Sequence, residues 1–393
     1  MVEWQTVRLG NIASTNQSTY SSKEDWKFVN YLDTGNITMN QVDEIQYINT
    51  SMDKLPSRAK RKVRFNSIIY STVRPNQLHY GIIKNQPENF LVSSGFAVID
   101  VDSDKAVPEY IYYVLTQQEI TKYLQSIAEQ SVSAYPSIKP SDIENLEFSL
   151  PDRKTQEKIV SILKSIDEKI VQNNEINNNL QEQMEALHRS WFIDYAPFGG
   201  AKPSNWIKAD IYSIANIIYG APFASKRFNT EGLGKPIIRI RDLKEQTFAT
   251  YTTEIHPKGH LIQPGDIVVG MDGEFRPYIW GNSEAWLNQR VCIFESKLPS
   301  DKAFMLYTIK PLLNVIEQTQ VATTVIHIGK KDYDAFEIVL PDRKTLDQFG
   351  EITTPMLERI VNNSIENKKL VQLRDALLPQ LMSGELDVSK IKN

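Results

Sequence analysis

The sequence predicts an α/β (α+β) chain built twice: two similar globular domains joined by two long antiparallel helices, a coiled coil with pseudo-twofold symmetry. Three observations predict this. First, the hexapeptide Leu-Pro-Asp-Arg-Lys-Thr stands at Leu150–Thr155 and again at Leu340–Thr345, an offset of 190 residues. The same offset relates Ile138 to Ile328, Asp142 to Asp332, Ile170 to Ile360, Asn173 to Asn363, Leu180 to Leu370 and Leu187 to Leu377. A period this long marks duplicated domains and not a solenoid. Second, each hexapeptide opens a long stretch with apolar residues at heptad spacing. Third, each half carries one late helical pattern, Pro108–Ala128 and Asp301–Gln318, ahead of its hexapeptide.

Four segments follow: 1–150, 151–199, 200–340 and 341–393. In the first, short apolar runs (Ser67–Val73, Tyr80–Ile83, Phe96–Val101) separated by turn-rich stretches read as strands. The third repeats the plan with strands near Ile237–Ile240, Asp266–Gly270 and Arg290–Phe294, and Trp4, Leu9 and Ile12 find echoes in Trp206, Ile211 and Ile214. The second and fourth open on helices, about 151–193 and 341–382, with Asp152 and Asp342 as N-caps after proline. Ile159, Ile166, Leu180 and Leu187, and Phe349, Met356, Leu370 and Leu377, mark the two stripes. Companion positions Ile162, Ile170, Ile176, Met184 and Trp191, or Ile352, Ile360 and Leu381, complete them. A helix of ~40 residues spans ~60 Å and needs a partner for its stripe, which its own copy supplies. Connectivity makes the pair antiparallel, with the domains at opposite ends. Asn173 and Asn363 then meet near the midpoint, where buried amides would fix register; the alternative is that both face solvent. Trp191, Phe192, Ile193 and Tyr195 form an apolar tip, expected to pack on the second domain or else to dock a partner.

Composition is that of an ordinary soluble protein of 393 residues, 41% hydrophobic and 23% charged. Met1–Gly10 lacks an apolar signal core and no long apolar run occurs, so neither a signal peptide nor a membrane span is expected. Cys292, the only cysteine, excludes an internal disulfide and fits a reducing cytoplasm. The net charge of −4 conceals local asymmetry: Lys54 to Lys84 holds eight Lys or Arg and no acid. A second cluster (Lys226, Arg227, Lys235, Arg239, Arg241, Lys244) has only Glu231 and Asp242 against it. A polyanion responds to the local field, so paired basic runs in equivalent halves point to a functional face and not merely to a solvated loop.

No catalytic constellation emerges. An Asn/Asp-Pro-Pro-aromatic methyltransferase motif is missing, and Gly232-Leu233-Gly234-Lys235 runs into Pro236 without the phosphate-loop hydroxyl. His256 and His260 lack a third ligand for metal. Pro151-Asp152-Arg153-Lys154 evokes a nuclease pattern, but its duplicate opens a helix too, which favours capping. The chain binds; it is not expected to react.

Here a resemblance enters. Ser67–Asn76 with Val92–Val98, and Gly265–Phe275 with Leu287–Cys292, resemble two classes of target-recognition domain of the specificity subunits of type I restriction–modification systems. The helices that open with Leu-Pro and end near Glu185-Ala186-Leu187 and Asp375-Ala376-Leu377 resemble that family's two conserved regions, and the likeness spans nearly the whole chain. Asp347-Gln348 departs from the Gln156-Glu157 order, a detail of the helix start. The resemblance implies that each domain reads one half of a bipartite, asymmetric double-stranded DNA site, with the helices setting the spacer. It implies two modification (methyltransferase) subunits and restriction (motor–nuclease) subunits as partners. S-adenosylmethionine, ATP and magnesium belong on those partners and not on this chain, and the methylated adenine is flipped by the partner. A coiled-coil protein–protein scaffold without DNA specificity is the alternative; a fused nuclease or methyltransferase is another, which S-adenosylmethionine binding by the isolated chain would revive.

Arginine reads guanine and Asn or Gln reads adenine bidentately, while lysines and hydroxyls hold phosphates. In the first domain Arg74, Asn76, Gln77 and His79 are the expected readers, with Arg58, Lys60, Arg61, Lys62 and Arg64 on the backbone and Tyr20, Ser22, Lys23, Trp26, Ser133 and Tyr135 as further candidates. In the second, Asp272, Glu274, Arg276, Tyr278, Arg239 and Arg241 are the readers, with Ser225, Lys226 and Arg227 nearer phosphate. For Arg74 and Arg290 an intradomain salt bridge is the competing role.

Overall fold

The structure is a computed structural model that describes residues 4–131, 135–319 and 327–388. The chain divides into two compact units, Met1–Asp167 with Gln372–Asn393, and Glu168–Val371, so each long helix is shared between them.

In the first unit the apolar run Ile68–Ser71, buried at every position, forms the middle of an antiparallel sheet. The strand order is Ala13–Thr15, Phe96–Val101, Ile68–Ser71, Tyr80–Ile82. A second sheet runs Gln46–Asn49, Phe28–Leu32, Phe90–Ser93, Ala59–Lys62, with the middle two strands parallel. Ser94 and Gly95 carry Phe90–Ser93 straight into Phe96–Val101, so one turn ties the sheets together. The late helical pattern is two helices, α1 (Pro108–Leu115) and α2 (Gln118–Glu129), where the sequence predicts one. Gln117 is extended (φ −61°, ψ 141°) at the break. Two side chains there compete for the end of α1: the Thr116 hydroxyl donates to the Tyr113 carbonyl (3.2 Å) and Gln117 Nε2 to the Val114 carbonyl (3.2 Å). A single turn, α3 (Pro140–Glu144), precedes the strand Glu147–Leu150, which pairs with Gln5–Arg8.

The hexapeptide then explains itself. Asp152 caps α4 (Arg153–Phe192), accepting from the Thr155 backbone N–H (3.0 Å) and hydroxyl (2.9 Å). Those bonds hold its carboxyl below the usual range. The first turns of α4 bury Ile159, Val160 and Leu163 in this unit's core. Leu378, Leu381, Met382 and Val388, from the second long helix and its tail, complete the same core.

The second unit repeats the design. Its antiparallel sheet runs Ala215–Tyr219, Val291–Ser296, Ile267–Gly270, Pro277–Ile279. Its other sheet runs Phe228–Asn229, Tyr251–Thr252, Lys235–Ile238, Ala285–Leu287, Leu261–Ile262, again with one parallel pair, Lys235–Ile238 beside Ala285–Leu287. Helix α5 (Lys302–Thr319), the turn α6 (Lys330–Asp334) and the strand pair Ile207–Asp210 with Glu337–Leu340 keep the order of the first unit. Asp342 caps α7 (Arg343–Ser383) through Thr345 N–H (3.1 Å) and hydroxyl (2.9 Å). Burial pushes its carboxyl up, but these bonds and those from Trp206 and Asn205 outweigh it and leave it low. The apolar tip packs on the second domain: Phe192 is buried against Trp206, Phe304 and Phe349, while Ile193 is 60% exposed. Cys292 is buried, its sulfur 3.2 Å from the Tyr333 hydroxyl.

Two seam positions differ from expectation. Ile176 and Ile352 are exposed, and the next residues, Asn177 and Thr353, take the buried places. Thr353 satisfies its hydroxyl on the Phe349 carbonyl (2.8 Å). Asn173 and Asn363 are both buried but do not bond each other. Asn173 donates to Asn367 Oδ1 (2.9 Å) and Asn363 to Asn177 Oδ1 (2.9 Å). Asn367 also donates to Asn174 and the Ile170 carbonyl, and Asn177 to Ser364 and the Ile360 carbonyl. Each of these contacts becomes another when the helices are exchanged at the 190-residue offset. The descending order of partners along α7 makes the pairing antiparallel.

Candidate nucleic-acid interface

In the first domain the basic run lies on and beside the edge strand Ala59–Lys62. The outer side of this strand is covered by residues 18–20, through Tyr20 N–H to the Lys60 carbonyl (2.8 Å) and Lys62 N–H to that of Ser18 (3.1 Å), so no open edge is left there for pairing with other chains. Arg58 and Lys60 are exposed and make no ion pair among the described residues. Lys62 is ion-paired with Glu24 and lies 5.1 Å over the Trp26 ring, and Trp26 in turn packs 4.7 Å from Tyr20. Arg61 donates to Thr19 Oγ1 (3.4 Å), and Arg64 pairs with Asp100 (3.1 Å). Three of the five expected backbone contacts are therefore tied to their own domain, while Arg58, whose charge is felt by Asp33 of the same domain, and Lys60 make no close ion pair among the described residues. Lys23 is exposed in the turn Ser22–Glu24.

The loop after the central strand holds the expected readers. Arg74 is left-handed (φ 48°, ψ 68°), its backbone N–H donates to the Pro136 carbonyl (2.9 Å), and its guanidinium lies 5.4 Å over the Tyr135 ring. Asn76 and Gln77 are exposed, whereas His79 is half-buried with Nδ1 2.6 Å from the Ile37 carbonyl, an internal role. Ser94 N–H donates to the Arg58 carbonyl (2.7 Å) and Thr72 N–H to that of Gly95 (2.8 Å), so Arg58 and Arg74 flank one turn. Ser133 lies outside the described residues.

The second domain brings together another set. Ser225, Lys226 and Arg227 form an exposed turn. The preceding chain approaches Asn288 so closely that a Cβ on Gly220 would stand 2.0 Å from its carbonyl oxygen, which only glycine permits. Arg239 is spent inside, on Asp242 (3.4 Å) and the Thr250 hydroxyl, while Arg241 is 68% exposed. Glu274 and Arg276 form an exposed pair (3.8 Å), and Tyr278 is half-buried, its phenol pushed up by burial. Asp272 is engaged on both oxygens, Oδ1 2.7 Å from His327 Nδ1 and Oδ2 3.5 Å from Arg290 Nε. His327 was not foreseen, although it precedes Ile328 as Ser137 precedes Ile138, within the repeat. Among the described residues no cluster of three or more His, Cys, Asp or Glu converges.

These features are two like frames carrying unlike polar surfaces. The profile of the type I restriction modification DNA specificity domain matches residues 1–182 and 203–374. The chain belongs to this family. It is 24% identical to the HindI specificity subunit of Haemophilus influenzae over 98% of this chain and 100% of that one. It is likewise 24% identical to the MjaIX specificity subunit of Methanocaldococcus jannaschii, over 76% and 73%. The crystal structure of a type I restriction–modification S subunit from M. genitalium shares the fold, with a TM-score of 0.58 at 15% identity over 97% of this chain and 96% of that one. The chain is thus a DNA sequence-specificity subunit of the type I restriction–modification class.

Proposed function

We propose that each globular domain of this subunit reads one half of a bipartite, asymmetric DNA site, and that the paired helices fix the unread spacer between the halves. The observation that carries this is the duplication itself: one fold occurs twice with different side chains at the loops after the central strand. A twofold scaffold with identical readers would select a palindrome; unlike readers select an asymmetric site. Arg74, Asn76 and Gln77 in one domain and Glu274, Arg276 and Tyr278 in the other are the candidate base contacts, with Arg58, Lys60, Lys226 and Arg227 on phosphates. The chain directs modification and restriction subunits to the site and performs no chemistry, so S-adenosylmethionine, ATP and magnesium sit on those partners, in the cytoplasm. No helix among the described residues is long and apolar enough to cross a membrane.

The test replaces residues 1–150 with the corresponding domain of another specificity subunit and maps methylated adenines in cells that also express the modification subunit. One half of the methylated motif should change and the other persist. A motif unchanged in both halves would remove the reading.

A further inference from the structure

Each domain builds the same backbone junction at the end of its central strand. In the first, Thr72 N–H donates to the Gly95 carbonyl (2.8 Å), Ile138 N–H donates to that of Thr72 (2.8 Å), and Val73 is bridged to Ser137. In the second, Met271 N–H donates to the Arg290 carbonyl (2.9 Å), Ile328 N–H to that of Met271 (2.9 Å), and Asp272 is bridged to His327. These bonds align Thr72 with Met271, and hence Arg74 with Gly273 and Gly95 with Arg290. Both Arg74 (φ 48°) and Gly273 (φ 77°) are left-handed. Every junction therefore holds one arginine and one glycine, and the two domains exchange their places.

Arg74 occupies a conformation that the repeat fills with glycine, at a steric cost glycine would avoid. Strain retained at a loop facing solvent points from the outlier to a role for the side chain. The exposed ring of Tyr135 supports its guanidinium. Arg290 is held otherwise. Its Nε lies 3.5 Å from Asp272 Oδ2, the other oxygen of that carboxylate accepts from His327 Nδ1–H (2.7 Å), and the Arg290 side chain is 52% exposed. With Nδ1 committed as a donor, the ring nitrogen left to accept from Nη1 is Nε2, 3.5 Å away. Among the described residues the Arg74 guanidinium and Nη2 of Arg290 make no hydrogen bond. A phosphate contact favours an unpaired, mobile cation, whereas a guanine edge needs a planar fork held in one direction. Bracing by an aromatic ring, or by a carboxylate that an imidazole holds in place, gives up charge or mobility to gain direction.

Building on the reading proposed above, we propose that this junction is where each domain reads a guanine: Arg74 in one half-site and Arg290 in the other. Tyr135 and the Asp272–His327 pair are positioning residues, so Asp272 acts through Arg290 and not on a base.

The test uses the full chain with its modification subunit in cells, with genome-wide mapping of methylated adenines. Arg290→Ala and Arg290→Lys should each lose about 10- to 100-fold discrimination at one guanine of one half-site, because a bidentate pair discriminates by that order. Arg74→Ala should do so in the other half. Asp272→Asn should relax the same base as Arg290→Ala, and the double variant should be no worse than Arg290→Ala alone; an Asp272 with a merely structural role would add its own loss. Arg290→Lys keeps the charge, so it reports even if the alanine variant folds poorly. An unchanged motif with uniformly weaker methylation would make these arginines phosphate contacts, and a half-site without guanine would also overturn the proposal. If the 1–150 replacement still changes one half while Arg290→Lys changes nothing, the inference fails and the domain-wise reading stands.

Discussion

Arg74 shows how a single backbone angle separates stability from function. A left-handed L-residue costs about 1–2 kcal/mol, which glycine escapes. Arg74→Gly should therefore be about 1 kcal/mol more stable than Arg74→Ala in denaturant unfolding, though both lose the guanidinium. His188 is a second case. It is buried among Phe192, Phe304, Tyr307 and Phe349, with Nε2 3.2 Å from the Thr308 hydroxyl. Burial drives its imidazole down to about 4, against a small opposing pull from Glu185. Its folded value lies below the unfolded 6.5, so stability is full above pH 6.5 and falls as pH drops toward 4, where only the unfolded chain takes up the proton. The loss is on the order of 3 kcal/mol. His188→Leu should flatten the pH 4 to 6.5 stretch of the stability curve measured by chemical denaturation; an unchanged slope would assign it to other groups. Sequence pattern marks Arg74 as a reader but reaches neither its backbone angle nor the burial of His188. A φ angle is set by the surrounding turn, and the depth of a histidine depends on which side chains close over it.

At the scale of elements, the long helices were the most legible part, because heptads, caps and the repeat all act locally along one chain. The amide layer was half legible: Asn173 and Asn363 were singled out, yet Asn177 and Asn367, related by the same offset, are their true partners. Heptad reading treats polar residues as interruptions, so it marks Ile176 where Asn177 is buried and marks nothing at the buried Asn367. The layer is a network, which predicts strong coupling. Asn173→Leu alone should cost about 1–3 kcal/mol, since Asn367 Oδ1 loses its donor. Asn173→Leu with Asn367→Leu should recover most of that, as a double-mutant cycle on urea unfolding would measure. Additive losses would mean that the amides do not act as a pair. The break between α1 and α2 was not legible, because Thr116 and Gln117 are both acceptable inside a helix and only their bonds to the preceding carbonyls reveal the stop. The reading junctions were obscured for another reason: insertions shift the offset to 199 between Val73 and Asp272 while Ser137 and His327 keep 190, so the alignment appears only once the strands pair.

At the scale of the molecule, duplication was legible from a hexapeptide, while the polar face of each domain was not, since ion pairs such as Lys62–Glu24 and Arg64–Asp100 withdraw charges that composition counts as free. The core of the first unit takes Leu378, Leu381, Met382 and Val388 from beyond the whole of the second. Gly384 packs against Trp4, and Lys158 Nζ reaches the Val388 carbonyl at 3.5 Å. Deleting residues 372–393 should therefore expose 4–150 to limited proteolysis while 200–340 stays protected; equal protection of both would contradict this. The same feature sets an order of events on the ribosome. Residues 4–150 emerge ahead of Leu378, Leu381, Met382 and Val388 by more than two hundred positions, so their core stays open, with apolar surface exposed, until that later stretch has been threaded out.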